Sequence, residues 1–342
     1  MKTFVIILVS IIGLLALVSA AAAVIAYFAY NAVFGKRCDG DEKLKYFSHE
    51  DFEGLKAAPV EFENDKGVTL RGAIYAKSGL QAPEALIIFS HGMGGGHRSY
   101  MTEINTFAQN GFAVLAYDNT GTFASDGNKL GSFCQGPSDL ISAIKFARSH
   151  KALGNMKILL AGHSWGGYSV CQALGNEDIK VEGAVTFGAP DSGYQVIGAA
   201  MGEKLAFLTP LFKLAFRLFE GKRAMVHSAQ ALANAEPTPV LLLHGKEDHI
   251  VPPAVSAAEN AKDLPHVKSV IFDSRYHNVY QTIESETYMN ETFAKINATK
   301  KNKNASEEEI NACYDIDYEL ITREDPAMMN TVVMFMKKCI ER

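Results

Sequence analysis

One serine stands in a pattern suited to covalent chemistry. Gly162-His163-Ser164-Trp165-Gly166-Gly167 follows the apolar run KILLAG (157–162) and opens the stretch YSVCQAL, which Gly175 can end. Strand, tight turn and helix in that order form an elbow that projects a nucleophilic serine out of a sheet. Gly162 and Gly166 then occupy positions where strand and helix approach too closely for side chains. A serine hydroxyl is a weak nucleophile at neutral pH unless a base takes its proton. The base candidate is His277, in Tyr276-His277-Asn278-Val279-Tyr280, and the acid candidate is Asp248, in HGKEDHIVP (244–252). Each follows its own apolar run, and Ser, acid, His is the chain order expected of a triad on such a sheet. Glu247 and Asp191 are alternative acids. His266 is an alternative base, but it precedes its run instead of following it. His163 and His249 read as packing or loop residues, and His49, His97, His150 and His227 as ordinary surface positions.

The roles follow from the types. His277 takes the Ser164 proton and later protonates the leaving group, while Asp248 fixes the imidazole tautomer and stabilises its cation. A tetrahedral intermediate also needs two N–H donors, each worth about 3 kcal/mol. The residue after the nucleophile, Trp165, is the first. The Gly-rich run SHGMGGG (90–96) offers the second, with Met93 the choice and Gly94 next. That run lacks the lysine of a phosphate-binding GxxxxGK[ST] loop and the dinucleotide spacing. No cofactor is implied, because the triad supplies nucleophile, base and charge stabilisation. No metal is implied either: Cys38, Cys134, Cys171, Cys313 and Cys339 show no ligand spacing. Their odd, sparse number argues against a disulfide scaffold, with a single disulfide left open.

The elements that must hold these residues are legible as runs. Val60–Glu63 and Val68–Ala76 flank the turn-rich Asn64-Asp65-Lys66-Gly67 and predict a hairpin. ALIIFS (85–90), FAVLAY (112–117), KILLAG (157–162), GAVTFG (183–188), PVLLLH (239–244) and VKSVIFD (267–273) are short, continuous and rich in β-formers. Helical segments separate most of them. Such runs suit strands buried on both faces of a mostly parallel sheet, with helices as crossovers. Asp191 to about Glu236 is too long for one crossover and reads as an insertion. Its centre, PLFKLAFRLFE (210–220), has Thr209 and Pro210 at its start and Gly221 past its end. Its polar residues are nearly confined to Lys213 and Arg217, so it is expected to bury most of its circumference. A second insertion runs from about Gln281 to Arg323 and carries the capping-box pattern Ser306-Glu307-Glu308-Glu309. A final helix opens at Asp325-Pro326 and shows the apolar stripe Met329, Val332, Val333, Met336, Ile340.

The N-terminus is apolar from Phe4 to Phe34, with no charge between Lys2 and Lys36. At about 1.5 Å per residue, roughly 31 residues give a helix of about 46 Å, against a bilayer core of about 30 Å. It is read as an uncleaved anchor, with cleavage after Val18-Ser19-Ala20 as the alternative. Lys36, Arg37, Lys43 and Lys45 outnumber Lys2 across the span and favour a cytoplasmic domain. The short Met-Lys start before an apolar run favours export, and the domain is assigned to the outer side on that basis. Cys38 to about Leu55 is polar, without a period, and reads as a tether. The chain of 342 residues is 48% hydrophobic and 21% charged, an ordinary globular composition. Its net charge of −5 argues against a nucleic-acid partner. Nothing in the sequence specifies an oligomeric state.

SHGMGGG, AYDNTGTFASDG, QGPSDLISAIKFA, GHSWGG, HGKEDHIVP and YHNVY, in this order over about Glu61–Tyr280, resemble the α/β-hydrolase superfamily. The resemblance is to its branch of monoacylglycerol-lipase-like esterases and serine aminopeptidases. It implies an α/β-hydrolase fold with an eight-stranded, mostly parallel sheet flanked by helices, and a helical lid after the sixth strand. The corresponding division is 1–35 anchor or signal, 36–55 linker, 56–190 first part of the core, 191–236 lid, and 237–342 second part of the core with the insertion at 281–323. Lid residues such as Leu208, Leu211, Phe212 and Phe216 are the expected substrate-binding side chains. The expected activity is hydrolysis of a small-molecule carboxylic ester, lipid-like in view of the apolar lid and the anchor. Alternatives are an aminopeptidase or amidase, acyl transfer to another alcohol, and a non-catalytic binding protein. An aminopeptidase needs carboxylates for the substrate amine, and the lid has few, such as Glu203 and Glu220.

Overall fold

Each continuous apolar run becomes a strand, because helices cover both faces of the sheet that the runs build. The computed structural model describes residues 2–202 and 207–342. The first half contains α1 (Lys2–Phe34), β1 (Leu55–Glu63), β2 (Thr69–Lys77), β3 (Leu86–Ser90), α2 (Met101–Gln109), β4 (Ala113–Tyr117), α3 (Gln135–Ser149), β5 (Ile158–His163) and α4 (Trp165–Leu174). The second half contains β6 (Gly183–Phe187), α5 (Gly193–Ala200), α6 (Thr209–Phe219), α7 (Ser228–Ala233), β7 (Val240–Gly245), α8 (Ala257–Asn260), β8 (Val267–Phe272), α9 (Ile283–Lys301), α10 (Glu307–Ala312), α11 (Tyr318–Ile321) and α12 (Pro326–Ile340). The eight strands form one sheet in the order β1-β2-β4-β3-β5-β6-β7-β8. The pairings β1–β2 and β2–β4 are antiparallel, and the remaining ones are parallel.

Alternation within a strand feeds two cores. Leu86 and Ile88 of β3 join α3 and α4 on one face, while Ile87 and Phe89 join α2 and α12 on the other. Because β3, β5, β6, β7 and β8 run parallel, their carboxyl ends converge on one edge, where sheets of this kind build their sites. The hairpin begins earlier than its pattern suggested. Leu55–Pro59 pairs with Ala73–Lys77, and Pro59, which lacks an N–H, is tolerated because β1 is an edge strand.

Two segments differ from expectation. The supposed tether is docked: Leu44 packs with Ile296, Cys313, Ile316 and Ile321 of the second insertion. Asp41 pairs with Lys300 at 2.6 Å, and the Lys45 N–H donates to the Tyr318 hydroxyl at 2.7 Å. Helix α6 buries only one side, Phe212, Ala215 and Phe216. Leu214, Leu218 and Phe219 are exposed, because α6 lies at the surface and packs along α1. There Ala26, Tyr30 and Phe34, four apart, form the buried stripe of α1, and its apolar outer turns stay exposed. Tyr30 and Phe34 meet Phe216 edge-on. Burying one such aromatic stabilises by about 1.5–3 kcal/mol. All five cysteines are free thiols.

Candidate active site

Ser164 sits alone between β5 and α4 with φ 54° and ψ −118°. A non-glycine residue in that region is strained by about 1–3 kcal/mol and persists only where its surroundings enforce it. Here the Ser164 N–H donates to the Phe187 carbonyl at 2.8 Å, and the Ser164 carbonyl accepts from the Tyr168 N–H at 2.9 Å. The turn is also sterically closed. A Cβ on Gly166 would stand 1.9 Å from the Ser90 carbonyl oxygen, and one on Gly162 would stand 2.5 Å from that of Gly166. Only glycine fits at either position.

Asp248 follows β7 and His277 follows β8, and the two side chains meet. Asp248 Oδ2 lies 2.7 Å from His277 Nδ1. Asp248 Oδ1 accepts from the N–H groups of Ile250 and Val251 at 2.9 and 2.8 Å. An ionised carboxylate only accepts, so His277 Nδ1 carries hydrogen and the neutral ring keeps its lone pair on Nε2. Both residues are buried. Glu247 is exposed, Asp191 accepts from His227 and the Ala229 N–H, and His266 bonds the Leu232 carbonyl. None of these alternatives pairs with His277.

Ser164 and His277 line one cavity of about 640 Å³, together with Met93 and Trp165. Its other walls include Leu130, Phe133, Ile250 and the end of α1, from Ala32 and Val33 on to Lys36 and Arg37. Of the expected lid contacts, Leu208, Leu211, Phe212 and Phe216 do not line it. Phe212 and Phe216 are buried against Tyr30, Phe34 and Phe133, and Leu208 packs on the same cluster. The insertion supplies Val196 of α5 instead. Glu220 is also occupied: it accepts from the Tyr30 hydroxyl at 2.5 Å and from the N–H groups of Phe133 and Cys134 at 3.0 and 2.8 Å. The Phe133 carbonyl in turn accepts from the Trp165 indole at 2.7 Å. Glu203 lies outside the described residues.

Three side chains that the motifs did not single out brace the site. The Gly92 N–H donates to the Tyr100 hydroxyl at 3.0 Å, and Tyr100 lies 2.8 Å from His163 Nδ1. His163 Nε2 reaches the His277 carbonyl at 3.3 Å. Burial holds the His163 pKa well below the usual imidazole range, so the ring is neutral. A carbonyl can only accept, so Nε2 carries the hydrogen, and Tyr100 donates to Nδ1. The chain of bonds therefore ties the loop after β3 to the loop after β8 through the elbow. The third brace is Glu286 of α9. Its carboxylate accepts from the Tyr276 N–H at 3.1 Å and the Asn278 N–H at 2.5 Å, on either side of His277. Burial pushes its pKa up, while those two bonds oppose the rise. No sequence spacing announces these three braces, because each partner lies on a different element. His97 is likewise buried rather than at the surface: Nδ1 is 2.8 Å from Asp118 and Nε2 is 3.0 Å from the Tyr75 hydroxyl.

A family model described as serine aminopeptidase, S33, matches residues 81–216, which include Met93, Ser164 and Trp165 and end before Asp248 and His277. The chain has the α/β-hydrolase fold, and over that segment it is similar to this family. The α/β-hydrolase sheet is shared with the esterase Pf2001 of Pyrococcus furiosus, at TM-score 0.56 and 19% identity over 76% of this chain and 97% of that one. It is shared with Est1E of Butyrivibrio proteoclasticus, solved with ferulic acid bound, at TM-score 0.55 and 19% identity over 83% of this chain and 100% of that one. At such identity these neighbours establish the fold alone. By sequence the chain is 26% identical to the uncharacterized protein YfhR of Escherichia coli (strain K12) over 198 residues, 57% of this chain. The aligned stretch spans 64% of that relative's length.

Proposed function

We propose that this hydrolase is a serine esterase that cleaves a neutral, lipid-like carboxylic ester through an acyl-enzyme on Ser164. The reading rests above all on one observation: the His277–Asp248 pair, at 2.7 Å, opens onto the same cavity as the strained Ser164. In the proposed cycle His277 Nε2 takes the Ser164 proton as Oγ attacks the carbonyl carbon. The developing oxyanion is held by the backbone N–H groups of Met93 and Trp165. Collapse breaks the ester C–O bond, and the imidazolium gives its proton to the departing alcohol. Water, deprotonated by His277, then attacks the acyl-enzyme and releases the acid with Ser164 restored.

The lining supports an ester over a peptide. Among the described residues that line the Ser164 cavity there is no Asp or Glu to hold a substrate ammonium group. The name of the matching family keeps the aminopeptidase as the second reading. The lipid-like class is supported by apolar surface. Leu214, Leu218 and Phe219 of α6 stand exposed beside α1, which is long and apolar enough to cross a bilayer and is also compatible with a signal sequence. Exposed apolar patches of this kind mark membrane or partner contacts. In the proposed arrangement α1 anchors the chain, with the catalytic domain on the outer side, and the cavity mouth lies close to lipid. A panel of p-nitrophenyl esters and amino-acid anilides, run on wild type and Ser164→Ala, tests the reading. Ester turnover that Ser164→Ala abolishes is expected. Turnover confined to anilides with a free amine sinks the esterase assignment.

A further inference from the structure

The second insertion makes a chamber that the triad alone does not explain. A cavity of about 640 Å³ lies between α9, α11 and the docked segment after α1. It shares Arg37, Cys38, Gly94, Tyr100 and Asn278 with the Ser164 cavity, so the two adjoin behind the oxyanion loop and the residue after His277. Asn278 also bridges them chemically, since its side-chain amide lies 3.5 Å from Met289 Sδ on the chamber wall. Cavities of roughly 300–1,000 Å³ suit small organic ligands.

The lining selects the chemistry of the occupant. Its floor is apolar, with Met289, Phe293 and Ile296 from α9 and Ile316 and Ile321 beyond. Every charged side chain on its wall is already engaged. Arg37 pairs with Asp39 at 2.8 Å, Asp41 with Lys300 at 2.6 Å and Lys45 with Asp51 at 2.8 Å. Arg98 donates to the carbonyls of Tyr46 and Phe47 at 2.5 and 2.8 Å. A charged ligand arm entering there would lose its hydration without gaining a free counter-charge. An apolar arm would gain by burial.

We infer that this chamber is the second half of the substrate site and holds one neutral, apolar arm of the ester, opposite the arm that lies along the α1 end and Phe133. The inference rests on Ser164 being the nucleophile. It gives the insertion 281–323 and the segment 38–47 a joint role in choosing the substrate.

The test uses the full-length protein in detergent. Competent sites are counted by fluorophosphonate labelling of a parallel sample, so that the rates of the unlabelled enzyme are expressed per competent site. Two series are measured: p-nitrophenyl esters from acetyl to dodecanoyl, and acetate esters of alcohols of rising length. Met289→Trp narrows the chamber and Phe293→Ala widens it. In at least one series Met289→Trp is expected to lower the ratio of kcat/KM for long over short substrate by tenfold or more, and Phe293→Ala to move the optimum by two or more carbons. Unchanged ratios in both series, with labelling intact, overturn the chamber while leaving the esterase reading in place. Absence of labelling and of ester turnover in the wild type overturns that reading as well.

Discussion

A carboxylate one position before Asp248 has a different fate. Glu247 is exposed, whereas Asp248 is 2% exposed and has both oxygens bonded. Chain order after a strand was enough to prefer Asp248 as the candidate acid, and the elbow glycines were enough to single out Ser164 as the candidate nucleophile. Those signals are local. The braces are not, because Glu286 meets the residues around His277 from a helix that opens after them. Glu286→Ala removes the acceptor for two N–H groups that flank the base. We expect kcat/KM on a short ester to fall about tenfold, roughly 1.4 kcal/mol of transition-state stabilisation. Glu286→Gln, which keeps one acceptor oxygen, recovers part of it. Steady-state rates per titrated site read this directly, and a change below twofold in Glu286→Ala removes Glu286 from the positioning of His277.

Between elements, the joint of α1 and α6 carries the most consequence. The sequence marked where α6 starts and ends through Pro210 and Gly221. It did not show what α6 packs on, since Ala26, Tyr30 and Phe34 sit in a run that is apolar all round and has no readable stripe. A run of that kind also hides the fact that its last turns belong to the folded body. Glu220 joins the pieces, with the Tyr30 hydroxyl on one oxygen and the Phe133 and Cys134 N–H groups below the Trp165 indole. Glu220→Ala leaves buried donors unsatisfied, at about 1–3 kcal/mol each. Tyr30→Phe removes one donor and leaves Glu220 with its two backbone partners, at about 1 kcal/mol. Thermal unfolding in detergent should therefore rank Glu220→Ala well below Tyr30→Phe, and the reverse order contradicts the joint. The expectation that α6 buries most of its circumference failed for the same reason: one face meets α1, and among the described residues nothing covers Leu214, Leu218 and Phe219 on the other.

At the scale of the whole molecule the sheet was legible almost throughout, because strands buried on both faces leave continuous apolar runs. The docking of 38–47 onto the second insertion was not, because polar residues without a period give no hint of partners some 250 positions away. That insertion ends beside a pair of carboxyls, the buried Glu103 of α2 and the half-buried Glu324. Burial pushes both up, with mutual repulsion adding to Glu103, and Glu324 rises to about 7. A folded pKa above the unfolded one gives stability that is present below pH about 4.5 and lost as pH rises through about 7. Glu324→Gln should therefore gain on wild type in melting temperature between pH 4.5 and 8. A difference that stays flat with pH contradicts the pair's influence. In the proposed function all of these scales serve one atom, Ser164 Oγ. Its direct test is to label the full-length protein with a fluorophosphonate and locate the adduct by peptide mass spectrometry. A single adduct on Ser164, lost in Ser164→Ala and strongly slowed in His277→Ala, is the predicted result. An adduct on any other residue, or labelling that persists in Ser164→Ala, contradicts the account.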